Sequence, residues 1–136
     1  MLSRQWARAP EKATATVRVA PDISPNRLRL RRLGKDHDAS VIVRAVARKR
    51  RVALRALLGP ARGDAQTTAA RQLAMYLVHV LLGRSQEAVG RLFGRDASTV
   101  SHACRTIEDL RDAPPLETEI AGVEALLQPQ EAANVA

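Results

Sequence analysis

The side chains best suited to chemistry lie near residue 100, and they are suited to hydrogen bonding. Ser98, Thr99, Ser101, His102 and Arg105 share one face of a predicted helix, opposite its apolar residues. Small polar side chains let a helix backbone approach base edges, and a basic neighbour attracts phosphate. The pattern indicates a DNA-binding surface, although periodicity alone leaves open a helical packing unit with an ordinary polar face.

Residues for catalysis or metal binding do not converge in the sequence. His37, His79 and His102 lie at no spacing typical of a metal site, and none lies near a nucleophile and carboxylate pair. No G-x-x-x-x-G-K-[ST] motif occurs, so we expect no ATPase of that kind. Cys104 lies on an apolar helix face and is expected to be buried. The sequence predicts a binding protein without a cofactor, and not an enzyme.

Two predicted helices precede the polar face. The first is long, and Gly83 is expected to end it in the left-handed conformation. Ser85 is the expected N-cap of a short helix over 86–92. Their inward-facing residues recur at the helical spacing of three and four: Leu73, Ala74, Leu77, Val78, Leu81 and Leu82, then Ala88, Val89 and Leu92.

A third helix carries the polar face itself. Phe93 and Gly94 form the turn before it, and Asp96 or Ser98 is expected to cap it. Its apolar residues keep the same spacing: Val100, Ala103, Cys104, Ile107 and Leu110. Two helices joined by a short glycine-containing turn are typical of a helix-turn-helix, in which the second helix enters the major groove.

Short motifs along residues 71–110 carry a specific resemblance. They are Arg71-Gln72, Ala74-Met75, Val89-Gly90, the run FGRDASTV from Phe93 to Val100, His102-Ala103 and Ile107-Glu108. This stretch closely resembles the C-terminal DNA-binding domain of the bacterial replication initiator DnaA, and the resemblance extends more weakly over residues 40–127. It implies an all-α domain with a helix-turn-helix of the DnaA and Trp-repressor type.

The resemblance also implies which residues contact DNA. Base reading is expected from Asp96, Ala97 and Ser98 at the start of the third helix, and from Glu87 in the preceding helix. Arg62, in the loop from Gly59 to Thr67, is the candidate for the minor groove. The positions that correspond to phosphate contacts are Arg71, Gln72, His79, Arg95, Thr99, His102 and Arg105.

Several positions depart from the initiator pattern. The family's Asp-His-Thr run is Asp96-Ala97-Ser98 here, and one glycine before Arg95 is absent, which shortens the turn by one residue. Glu87 stands where the family has a base-contacting proline, and Arg62 is alone where initiators carry several basic residues. Each altered base contact changes discrimination by about 1–3 kcal/mol. We therefore expect a motif other than the initiator box.

The N-terminal residues, 1–39, are predicted to be a disordered basic arm. They contain prolines at 10, 21 and 25 and nine Lys or Arg against four Asp or Glu, without a sustained period. The alternation of basic and apolar residues from Arg27 to Arg32 is compatible with a strand, a groove-inserting arm or a solvated tail. We prefer the tail, which adds nonspecific attraction to phosphate.

The domain proper is predicted over 40–127. Ser40 is the expected N-cap of a helix that ends near Arg50, a short helix follows over 52–58, and Thr67 or Thr68 caps the long helix. The basic cluster Arg48-Lys49-Arg50-Arg51 fits either pairing with a helix C-terminus or phosphate contact.

The C-terminal end of the chain is acidic. Pro114-Pro115 is expected to break the recognition helix, and a last helix over 116–127 turns Leu116, Ile120, Val123, Leu126 and Leu127 inward. From Ala113 onward there are four glutamates and no Lys or Arg, so this end is expected to face away from DNA. It either packs against the domain, which we prefer, or docks a partner. Residues 128–136 are predicted to be a frayed tail.

Composition supports a duplex DNA partner. The formal net charge is +8 and the pI is about 11.1, which favours a polyanion. Aromatic residues are only 2 % of the chain, which leaves little to stack on unpaired bases. No apolar run approaches a membrane span, and the N-terminus lacks a signal-peptide block. We expect a cytoplasmic, nucleoid-associated protein that does not bind membranes.

The preferred function is a sequence-specific transcriptional regulator that acts with a second regulatory protein or RNA polymerase. In its domain organisation the chain is similar to gene-transfer-agent activators of α-proteobacteria, which carry this kind of domain. One alternative is a replication-linked protein that binds or competes for origin boxes. Another is a protein-interaction module whose helix-turn-helix docks a protein.

Overall fold

The structure is a computed structural model that describes residues 25–127, and these form seven α-helices and no strand. They are α1 Pro25–Gly34, α2 His37–Arg50, α3 Leu54–Leu58, α4 Ala65–Leu82, α5 Gln86–Phe93, α6 Ala97–Leu110 and α7 Pro114–Leu126. The all-α class is confirmed. In this part of the chain no helix is both long and apolar enough to cross a membrane. Predictions for residues 1–24 and for the tail 128–136 lie outside the described residues.

The central helix is α4, which other helices cover on most sides. It contacts α2, α3, α5 and α6, and its residues from Leu73 to Val78 are all buried. The polar exception is Tyr76, whose hydroxyl donates to Glu108 Oε2 at 2.7 Å and accepts from Arg111 Nη1 at 2.7 Å. These bonds hold the C-terminal end of α6 against α4.

Residues 25–34 form a helix, so the predicted disordered arm is wrong for this part of the chain. Leu33 is fully buried and Leu30 packs against the same core. Arg29 Nε donates to the carbonyl of Leu58, and Arg32 Nη1 donates to the carbonyl of Arg91 at 2.8 Å. Leu30 and Leu33, three residues apart, lie on one helix face. Arg29 and Arg32, also three residues apart, donate to main-chain acceptors on α3 and α5. The alternation is thus helical and α1 belongs to the domain.

Two helices begin earlier than predicted, because an upstream aspartate caps each of them. Asp36, and not Ser40, caps α2 and accepts from the Ala39 N–H at 3.3 Å. Asp64, and not Thr67 or Thr68, caps α4 and accepts from the Thr67 N–H at 2.8 Å. An aspartate is as good an N-cap as serine, and the earlier start adds main-chain hydrogen bonds.

The other predicted boundaries are mostly close to those observed. Gly83 ends α4 with a φ of 68°, and Ser85 caps α5 by accepting from the Ala88 N–H at 3.0 Å. α3 begins at Leu54, two residues later than expected.

Around α7 the predictions need correction. α7 begins at Pro114, because proline is tolerated in the first turn of a helix, where its missing N–H would have no partner. Leu110 and Leu126, predicted to face inward, are 53 % and 58 % exposed.

Candidate nucleic-acid interface

α5 and α6 meet through a backbone contact that leaves no room for a side chain. The N–H of Arg95 donates to the carbonyl of Gly90 at 2.8 Å, and a Cβ on Gly90 would lie 2.3 Å from the Arg95 carbonyl oxygen. Gly94 takes a left-handed φ of 68° in the turn. Close backbone approach therefore fixes how α6 is presented, and the predicted helix-turn-helix is confirmed.

Asp96 stands at the N-cap of α6, but its carboxylate makes no capping hydrogen bond. Asp36, Asp64 and Ser85 all accept a backbone N–H at their own helix starts. The exposed carboxylate of Asp96 is therefore open to a ligand. Such a group accepts from the amino group of a cytosine, and the positive end of α6 stabilises its charge.

The outer face of α6 continues this polar surface. Ala97 is half-buried, and Arg105 Nη1 donates to the Ser101 hydroxyl at 3.2 Å. Four of the predicted DNA contacts are exposed on α6: Ser98, Thr99, His102 and Arg105. One helix therefore carries Ala97 and Ser98, two of the expected base-reading residues, together with several expected phosphate contacts.

A groove of about 380 Å³ separates α6 from the start of α4 and the loop 59–64. Among residues 25–127, none of its arginines forms a salt bridge. A groove with several cations and no carboxylate in its lining attracts a phosphate group. The polar residues that line it are Arg62, Thr68, Arg71, Gln72, Arg95, Thr99 and His102.

Arg71 is the buried support of this groove, with only 4 % of its surface exposed. Its guanidinium donates to four carbonyl oxygens, those of Ala56 and Leu57 at 2.8 Å, Arg62 at 3.0 Å and Ala61 at 3.1 Å. Burial, together with the nearby charge of Arg95, lowers the pKa of Arg71 to about 10. Arg71 stays protonated at neutral pH, and most of its donors are used inside the protein.

Arg95 connects the helix-turn-helix to the loop 59–64 by hydrogen bonds. Its Nη1 donates to the carbonyls of Phe93 at 2.7 Å and Gly59 at 2.8 Å. Burial, and then the charge of Arg29, lowers the pKa of Arg95. Arg62 is different, because its carbonyl accepts from Arg71 and its side chain is exposed.

The comparisons with known proteins agree with this geometry. Residues 39–107, just over half of the chain, match the family described as the bacterial DnaA protein helix-turn-helix. The chain belongs to this family. The helix-turn-helix of the DnaA family is a sequence-specific binding domain for double-stranded DNA.

Individual relatives are chromosomal replication initiator proteins DnaA. The protein of Sphingopyxis alaskensis is 54 % identical over 55 residues, which are 39 % of this chain and 12 % of the relative. Those of Acinetobacter baumannii and Acinetobacter baylyi are 42 % and 40 % identical over 79 residues, or 57 % of this chain and 17 % of each relative. The matches thus cover well under a quarter of each DnaA protein.

Two residues that the DnaA pattern predicts as phosphate contacts also form hydrogen bonds inside the protein. Arg71 turns towards the last carbonyls of α3, which lack helical partners and attract a cation, so it supports the groove from below. His79 lies near the other end of α4, outside the groove, and its Nδ1 donates to the carbonyl of Arg84 at 2.6 Å. That bond secures the turn between α4 and α5.

Glu87 and Gln72, the predicted base and phosphate contacts on α5 and α4, lie in different settings. Gln72 is half-buried in the wall of the groove. Glu87 is exposed in the first turn of α5, where the positive helix end favours a carboxylate. Glu87 therefore has a local stabilising role as well as a predicted place near the bases.

The structure adds residues that sequence reasoning missed. Thr68 lines the groove, and its hydroxyl donates to the carbonyl of Arg62 at 3.1 Å. Its spacing of four residues from Gln72 was the available signal, since such residues share a helix face. Arg29 contacts the turn at Gly94, and no local pattern indicated that long-range contact.

Proposed function

We propose that this protein regulates transcription by binding a specific duplex DNA site, with the start of α6 in the major groove. The observation that carries the proposal is the carboxylate of Asp96, which makes no capping hydrogen bond. Asp96 follows Arg95, and Arg95 lines the groove together with Arg62 and Arg71. The carboxylate suits base reading, and the groove suits a phosphate of the same site. The protein then acts as a binding protein and not as an enzyme, on the nucleoid in the cytoplasm.

The proposed site differs from the initiator box. Ala97 and Ser98 present a methyl and a small hydroxyl where initiators present an imidazole and a threonine, and Glu87 adds a carboxylate on α5. The backbone contact between Gly90 and Arg95 holds a turn that is one residue shorter than the initiator pattern. A shorter turn changes how α6 enters the major groove of DNA, so the register of base contacts changes with it.

Selection from randomised duplexes with the full chain tests this proposal. We expect one enriched motif, distinct from the initiator box, that competes at least about a thousandfold better than random duplex. The control is Asp96→Ala, which should keep overall binding while one motif position becomes degenerate. Binding that random duplex competes away equally well would refute sequence-specific recognition.

The second candidate is a replication-linked protein that binds or competes for origin boxes. The retained Asp96 and the identity to replication initiators favour it. The same selection separates the two, because enrichment of the ordinary initiator box would support the replication-linked function and contradict the regulator.

A regulator of this kind also needs a link to transcription, either a second regulatory protein or RNA polymerase. Transcription in vitro from a promoter carrying the selected motif, with and without the protein, gives the direction of regulation. A genome-wide occupancy map then identifies the target genes, and peaks at gene-transfer-agent promoters are what the similarity in domain organisation predicts.

A further inference from the structure

Another groove, larger than the DNA-facing one, lies between the C-terminal half of α2 and α7. We call it the α2–α7 groove, and its volume is about 1020 Å³. Apolar residues, Ala45, Val123 and Leu126, contribute to its lining. Leu126 is 58 % exposed, the largest exposed fraction among the large hydrophobic residues that the structure describes. The groove therefore offers an apolar surface that no described part of the chain covers.

One rim of the α2–α7 groove is basic. Arg48, Lys49 and Arg51 are exposed, and within residues 25–127 none of them forms a salt bridge. Arg50 differs, because its guanidinium makes a two-point contact with Glu119 at 2.7 and 2.9 Å that joins α2 to α7. The negative C-terminal end of α2 offsets part of this charge, and Glu119 is the one carboxylate that the described residues contribute to the lining of the groove, so the rim keeps an excess of positive charge.

The backbone at Arg51 adds a separate observation. Arg51 ends α2 in the left-handed conformation with a φ of 59°, and it is the only such non-glycine residue in the described part of the chain. Glycine or asparagine usually occupies this position, because a side chain there costs free energy. Arg51 is exposed in this conformation and adds a further cation to the lining of the groove.

We propose that the α2–α7 groove binds an acidic amphipathic helix of a partner protein. The apolar residues of such a helix, at i, i+3 or i+4, and i+7, would contact Val123 and Leu126, and its carboxylates would face Arg48, Lys49 and Arg51. A second copy of this chain is a poor occupant, because its formal net charge of +8 repels the basic rim. Duplex DNA is also a poor occupant, because its phosphate backbone gains nothing from contact with the apolar residues of the groove.

The test uses a helical peptide of about four turns, with leucine at i, i+3, i+4 and i+7 and glutamate on its flanks. A second peptide with lysine in place of glutamate is the control ligand. Binding is followed by fluorescence anisotropy, and the site is located by amide chemical shifts of the full-length protein. We expect the acidic peptide to bind, with shifts confined to the end of α2 and to α7, and the basic peptide not to bind.

Matched variants identify which part of the groove is responsible. Leu126→Ser and the pair Arg48→Glu with Lys49→Glu should each weaken peptide binding about tenfold or more. Val80→Ser, an exposed hydrophobic residue on α4, and Arg44→Glu, one turn earlier on α2, should leave it unchanged. Thermal melting checks that every variant is folded.

Three outcomes would overturn the proposal. One is that the acidic peptide does not bind, and another is that its shifts map to the groove beside α6. The third is that the double variant, Arg48→Glu with Lys49→Glu, binds duplex DNA more weakly but still binds the peptide. That result would make the basic rim a phosphate contact. None of these readouts requires the proposed regulatory function, so the two proposals can fail independently.

Discussion

Arg71 Nη1 donates to the main-chain carbonyl of Arg62 at 3.0 Å, so a buried arginine holds the backbone of an exposed one. Both residues line the groove beside α6, Arg71 from α4 and Arg62 from the loop 59–64. Arg71 satisfies carbonyls of α3 and the loop, while the exposed guanidinium of Arg62 lines the groove beside α6. The buried arginine therefore holds the loop in place, and the exposed one is predicted to contact phosphate.

Arg71→Ala should destabilise the domain by about 3 kcal/mol, because it leaves several main-chain carbonyls without a donor. In thermal denaturation this corresponds to a fall of more than about 10 °C in Tm for a domain of this size. Arg71→Lys should recover only part of it, since one ammonium cannot reach all four acceptors. A variant with unchanged Tm and weakened DNA binding would show that Arg71 is a phosphate contact after all.

Arg62→Ala and Arg105→Ala should weaken binding to all duplex sequences alike. Both side chains are exposed, so their removal should change Tm little. Each lost phosphate contact should lower the slope of log K against log salt by about one unit. The slope is measured by titration at several salt concentrations with the selected motif and with random duplex. Loss of preference at particular motif positions in Arg62→Ala would instead mean that Arg62 reads bases in the minor groove.

Asp96→Ala should relax base preference at one motif position, by about 1–3 kcal/mol, with little loss of stability. The reason is that its carboxylate makes no capping hydrogen bond. Asp64→Ala is the matched control, because Asp64 does cap its helix and should cost about 1 kcal/mol of stability without altering the motif. If both variants lose the same stability and keep the same motif, Asp96 is an ordinary cap.

Leu33→Ala should destabilise the domain by about 2–5 kcal/mol, since Leu33 is fully buried and its truncation leaves a cavity. Leu28→Ala, on the same helix but 41 % exposed, is the control and should cost much less. Urea denaturation of both variants measures the difference. Equal stabilities would mean that α1 does not pack on the domain in solution.

Asp36→Asn should lower stability at neutral pH by up to about 1 kcal/mol, because it removes the ion pair with Arg84 while asparagine can still cap α2. The hydrogen bond from Arg84 holds the pKa of Asp36 below its ordinary value of 3.8. A lowered carboxyl pKa stabilises the fold above pH 3.8, and this contribution disappears as the pH falls through the lowered value.

The stability difference between Asp36→Asn and the unsubstituted protein should therefore close in acid. Urea midpoints measured from neutral pH down to about pH 2, below the ordinary carboxyl pKa, follow this change. Arg84→Gln should show the same pH dependence, and the double variant should show no further loss. A difference that is independent of pH would assign the effect to the cap.

Local chemistry in the sequence predicted where the helices of the helix-turn-helix end and begin. Gly83 and Gly94 end their helices in left-handed conformations, and Ser85 caps α5, as their residue types predict. Each of these features depends on hydrogen bonds within about five residues, which a sequence pattern can show. The exposed polar face of α6 followed from the same periodicity, since apolar and polar residues separate on a helix.

Only the tertiary structure decided what the arginines do. In the sequence, three arginines look like surface cations: Arg29, Arg71 and Arg95. In the structure, most of their hydrogen bonds are to main-chain carbonyls that lie 9 to 36 residues away along the chain. Long side chains reach whichever acceptors the helix arrangement brings near, and helix ends and tight loops supply carbonyls without partners. The same arrangement buries Leu33 and makes a helix of residues whose local sequence resembled a basic tail.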